Sequence, residues 1–97
     1  MATYVALLKF TEKGIKDIKD SRKREADFKD HAKKHGIEVK EQLWCMGAYD
    51  GLIIFEAADD ETATAAMLSL SMRGNVTTQT SRSFREGEMD KILAKLA

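Results

Sequence analysis

His31 and His35 stand four residues apart, a spacing that places both imidazoles on one face of a helix. Phe28 and Ala32 share that stripe. Such a pair is half of a transition-metal site, because imidazole is the commonest ligand for these ions. The other half is not spelled out. There is no His-Glu-x-x-His, no third histidine, and the single cysteine, Cys45, is distant. Asp27, Glu38 or a residue of a second copy would have to complete the site, and heme on one axial histidine is a further variant. Equally, both rings can be packed without a ligand, with His35 near a helix C-terminus where a cation is favoured.

A second group is Gly47-Ala48-Tyr49-Asp50-Gly51. Tyr49 can hydrogen-bond a ligand, and Asp50 can act as a base or an anchor. The same residues also suit a turn, with Gly47 taking an unusual backbone angle and Asp50 accepting turn amides. Tyr49 would then lay its ring across a subunit seam. Lys9 interrupts an apolar run on the parity of Thr3, Val5 and Leu7. Facing a cavity it would hold an anion; at a strand end it reaches water. Trp44, with Thr78, Thr80 and Arg82, fits a polar-aromatic pocket between sheets, or else an anchor at a protein contact. The ligand-binding candidates are therefore Lys9, Trp44, Tyr49 and Asp50. Cys45 reads as a packed, unreactive thiol, and Met67, Met72 and Met89 as core fillers.

The exclusions are firmer. The chain has no Walker loop, Gly-x-Gly-x-x-Gly or serine elbow, so phosphate cradling and triad hydrolysis have no support and no cofactor is implied. Sixteen Lys and Arg balance 16 Asp and Glu, which builds in no long-range attraction to nucleic acid or to an anionic membrane. The charge is uneven along the chain: residues 1–42 carry 11 basic and 8 acidic side chains, and residues 43–97 carry 5 and 8. In the first half Asp17, Asp20, Glu25 and Asp27 interleave with the bases, as on a solvated helix face. No apolar run approaches the roughly 18 residues of a membrane span, and the N-terminus lacks the layout of a secretion signal. One cysteine makes no internal disulfide, so a cytoplasmic location is expected.

These side chains need elements to position them. Residues 3–10 are a short apolar run rich in strand formers, and 11–19 a loop or short helical turn. Asp20 or Ser21 can cap a helix that runs to about His35, where Gly36 stops it. Residues 37–46 alternate as a second strand, and Asp50-Gly51 is a hairpin signal before a third, 52–55. Asp59 or Asp60 caps an alanine-rich helix ending at Gly74, and 75–84 form a polar, β-branched fourth strand. Met89, Ile92, Leu93 and Leu96 then make the stripe of a docked amphipathic helix, with Ser83 and Glu86 at capping-box spacing. The order is β-α-β-β-α-β plus a C-terminal helix: one α+β, ferredoxin-like domain over residues 1–97. Its helices cover one face of a four-stranded antiparallel sheet. Yet 4–8 and 52–55 are apolar on both parities, as in strands buried on both sides. With about 1.5–3 kcal/mol at stake per apolar side chain, a second copy is the expected cover. A homodimer or larger homo-oligomer follows.

Several separated motifs resemble the GYD domain family. They are Ala2-Thr3-Tyr4-Val5, Phe10-Thr11, Gly14-Ile15, Ile18-Lys19-Asp20-Ser21, Arg24, Phe28, Trp44, Gly47-Ala48-Tyr49-Asp50, Gly74-Asn75-Val76, Thr78, Arg82, Phe84 and the Glu88–Leu96 tail. The resemblance implies a dimeric α/β barrel, formed by sheet-to-sheet packing, from a prokaryotic cytoplasm. Similar barrels include cofactor-free monooxygenases, lactone isomerases, heme-binding enzymes and the effector domains of leucine-responsive regulators. The family often has leucine where His31, His35 and Ser81 stand, and proline where Arg22 stands. The first functional expectation is a homo-oligomeric module binding a small molecule in the cavity between sheets. The second is a cofactor-independent monooxygenase or isomerase; the third, a metal or heme protein through His31 and His35.

Overall fold

The computed structural model describes residues 1–97. Strand β1 (Ala2–Phe10) leads through the short helix α1 (Glu12–Lys16) and a 3₁₀ turn (Ile18–Asp20) into α2 (Ser21–Lys34). The hairpin β2 (Glu38–Trp44) and β3 (Gly51–Ala57) follows, then α3 (Asp60–Ser71), β4 (Val76–Ser83) and α4 (Glu86–Leu93). The sheet order is β2-β3-β1-β4, antiparallel throughout. This is the ferredoxin-like arrangement that the element order predicts.

Local chemistry explains the boundaries. Thr11 caps α1 by accepting the Gly14 amide (3.1 Å), so much of the 11–19 stretch is helical rather than looped. Asp59 caps α3 by accepting the Thr62 amide at 2.8 Å. The helices before Gly36 and Gly74 stop where these glycines turn to positive φ (78° and 87°), as L-residues resist doing. Strand β2 is shorter than its alternation suggests, ending at Trp44, and its pairing with β3 shifts register between Val39 and Glu41.

The core lies between the helices and one sheet face. Tyr4, Ala6 and Leu8 from β1 and Ile53, Phe55 and Ala57 from β3 are buried there with Phe28, Ala32, Ala63 and Met67. Tyr4 stacks on Phe55 with ring centroids 5.3 Å apart. The opposite parities of the central strands, Val5 and Leu7 against Ile54 and Leu52, are only half-buried. The chain leaves this face uncovered.

Three packing expectations need correction. Helix α4 is not docked: none of its residues is buried, and Leu93 and Leu96 are 51% and 69% exposed. Its capping differs too, because the Glu88 carboxylate, rather than the Ser83–Glu86 pair, accepts the Arg85 amide at 3.3 Å. Of the three methionines expected in the core only Met67 is there; Met72 is 83% exposed, and Met89 lies on the unpacked α4. Cys45 is exposed rather than packed, because β2 has ended one residue earlier.

Candidate functional site

Trp44 and Asp50 meet at a cavity of about 60 Å³ on the helix side of the sheet, which Gln42, Arg24 and Phe28 also line. The register explains the meeting. Gln42 and Trp44 pair with Ile53 and Gly51 and so share their helix-facing parity. Asp50 is stitched into the strand ends by three bonds. Its amide donates to the Leu8 carbonyl, its own carbonyl accepts the Cys45 amide, and its Oδ2 accepts the Phe10 amide, each at 2.8 Å. Arg24 reaches across from α2, donating to the Asp17 carbonyl at 2.7 Å and to Ser21 Oγ at 3.3 Å. Gln42 Oε1 is buried with no hydrogen-bond partner.

Lys9 and Tyr49 lie elsewhere. Lys9 is exposed on the open face, opposite Thr77 of β4. Tyr49 donates its hydroxyl to Gln79 Oε1 at 2.8 Å, and Gln79 pairs with Leu7 on that same face. Tyr49 and Asp50, adjacent at the hairpin tip where Gly47 takes φ 127°, leave it toward different faces. The four candidates thus divide into two sites. Thr78, Thr80 and Arg82 also carry the helix-facing parity, so the pocket expected for them and Trp44 between sheets has its residues on the other side.

His31 and His35 do share a helix face, with ring centroids 4.4 Å apart. They line an open groove between α2 and α3, where His31 Nε2 lies 3.4 Å from Ser69 Oγ. No group of three or more His, Cys, Asp or Glu is arranged to hold a metal ion. Neither Asp27 nor Glu38 completes the pair.

A further polar cluster sits at the start of α3. The Tyr4 hydroxyl donates to Asp60 Oδ1 at 2.5 Å. That bond, then burial, raises the tyrosine pKa. Arg82 lies beside the ring, donating to Glu88 Oε2 at 2.9 Å and to the Thr3 carbonyl at 3.3 Å. Its guanidinium holds the Glu88 carboxyl below the usual range, helped by the Arg85 amide.

The GYD domain family matches this chain over residues 4–93, nearly its whole length. The protein belongs to the GYD domain family. A protein of Thermus thermophilus named glutamine synthetase and cystathionine beta-lyase binding protein is 31% identical over 81 residues, covering 82% of this chain and 85% of the relative. Within this GYD fold, the signature turn does structural work at Asp50 and presents Tyr49 to the open face. Sequence reasoning missed Gln42, Arg24, Tyr4 and Asp60. Tyr4 and Asp60 are 56 residues apart and meet only through tertiary packing. Gln42 carried a faint signal, an uncharged polar residue on the apolar parity of β2.

Proposed function

We propose that this GYD protein is a homo-oligomeric binding module whose first partner is a second copy of itself. The observation that carries the reading is the uncovered sheet face. Val5, Leu7, Leu52 and Ile54 form a continuous apolar centre across β1 and β3, and Leu43, 52% exposed, extends it onto β2. At about 25 cal/mol per Å² of apolar surface, closing this face against its twin is a strong driving force. Acidic Glu38, Glu41 and Glu56 gather at one corner of the face and Lys9 lies toward the other end of β1. Lys40 already pairs with Glu38 and Glu56 within the chain, at 2.6 and 3.8 Å, so the apolar centre rather than charge is the basis for the pairing. Helix α4, with Phe84 ahead of it and Leu93 and Leu96 exposed, supplies a second apolar surface at the edge.

The binding role is supported by the Thermus relative, whose name describes attachment to two enzymes. A relative that acts by holding something favours binding over catalysis for this chain as well. A small molecule is the ligand we assign, and the exposed free thiol of Cys45 suits a reducing cytoplasm. The test is native mass spectrometry of the wild type beside Ile54→Lys. A dimer or larger ring is expected for the first and a folded monomer for the second. An unchanged assembly in the variant would show that the sheet face is not the contact.

A further inference from the structure

The helix-side cavity has a polar atom that the fold does not satisfy. Gln42 Oε1 is buried without a partner, and a buried acceptor left unpaired costs about 1–3 kcal/mol. Leucine at this position would fill a similar volume with no such cost. A second copy packed on the open sheet face cannot supply the missing donor, because Gln42 carries the helix-facing parity. Gln42 is one of the residues that line the helix-side cavity.

The neighbours define its chemistry. Asp50 lines the same cavity and commits only Oδ2, to the Phe10 amide. Gln42 and Asp50 thus each bring an uncommitted acceptor oxygen to the residues lining one cavity. Arg24 also lines the cavity, with its two Nη atoms bonded to the Asp17 carbonyl and Ser21 Oγ, and Glu25, Arg73 and Asn75 complete the polar lining. Trp44 and Phe28 supply aromatic surface, which favours an N–H-bearing or cationic head lying against it. The cavity volume is about 60 Å³. At roughly 10–15 Å³ per water-sized position, that holds about four to six non-hydrogen atoms.

We infer that this cavity is a binding site for a small molecule presenting an N–H donor head, a primary amine or primary amide, on a short apolar stem. The inference rests on the reading of the chain as a binding module and names the ligand chemistry of that module. Gln42 is the acceptor for the head, Asp50 the second acceptor, and Trp44 the wall beside it.

The single tryptophan makes the site directly readable. The wild-type oligomer is titrated with ethylammonium, with propionamide and with propionate, following indole fluorescence and amide NMR shifts around Gln42 and Asp50. At least one of the two N–H probes binds and propionate does not. Ethylammonium alone assigns an amine, propionamide alone an amide. Gln42→Leu weakens the binding at least tenfold while raising the melting temperature, a combination that mere structural damage does not give. Gln42→Glu keeps an acceptor and retains ethylammonium. Failure of both N–H probes, equal binding of propionate, or unchanged affinity in Gln42→Leu overturns the proposal. Mass spectrometry of the same samples separates the two readings: a monomer that binds a probe contradicts the assembly, whereas an oligomer that binds neither contradicts the pocket.

Discussion

Asp50 shows how one side chain can hold a hairpin tip and a cavity wall at once. Its Oδ2 accepts the Phe10 amide at the end of β1, where the ladder to β3 has stopped at Leu8–Gly51. Asp50→Ala should therefore lower unfolding free energy by about 1.5–3 kcal/mol, the range for a bond to a charged acceptor. Urea denaturation measures it, and Asp50→Asn, which keeps an acceptor, should lose much less. Two other carboxylates contribute to the response to acid. The Thr62 side chain and amide hold Asp59 below the ordinary range, and Arg82 does the same for Glu88. A carboxylate depressed by folding contributes its stability above the unfolded pKa and loses it as pH falls through the folded value. The melting temperature should thus fall as pH drops below about 4, where unfolded carboxylates titrate. Asp59→Asn, which retains the cap but not the titration, should flatten part of that fall. A fall of equal size in the variant would remove Asp59 from the acid response.

Among the elements, α1 makes the tightest approach to the rest of the chain. A methyl group on Gly14 would lie 2.1 Å from the backbone oxygen of Asn75, where neither side can give way without moving its chain. Gly14→Ala should cost about 1–3 kcal/mol or more, read as a lower melting temperature. Thr11 shares the junction, donating its hydroxyl to the Gly74 carbonyl at 2.6 Å. Alternation, caps and turn residues made the four strands and the three longer helices legible in order, because those signals are local, while α1 read only as a loop or short helical turn. Asp59 and Gly36 act as the sequence suggests. The docking of α4 was not legible, since an amphipathic stripe says that a helix has a partner, not that the partner is its own chain. The site was legible in part for the same reason. Trp44 and Asp50 meet, but which face a strand residue takes depends on register, and the register shift at Val39–Glu41 lies beyond periodicity.

At the scale of the whole molecule, one copy leaves apolar surface that the proposed assembly would cover. The radius of gyration is 14.6 Å, against about 13 Å for a compact chain of this length. Extents of 51 × 31 × 18 Å describe a flat, elongated body, with one sheet face and one helix short of cover. Covering both with a second copy accounts for strands that are apolar on two sides and for an amphipathic helix that finds no groove at home. The direct measurement is the solution mass of the wild-type protein at micromolar concentration, by light scattering coupled to size exclusion. The expected result is twice the 10.9 kDa chain mass or an even multiple of it. A stable, well-folded monomer would contradict the proposed assembly, because Val5, Leu7, Leu52 and Ile54 would then face water with nothing to cover them.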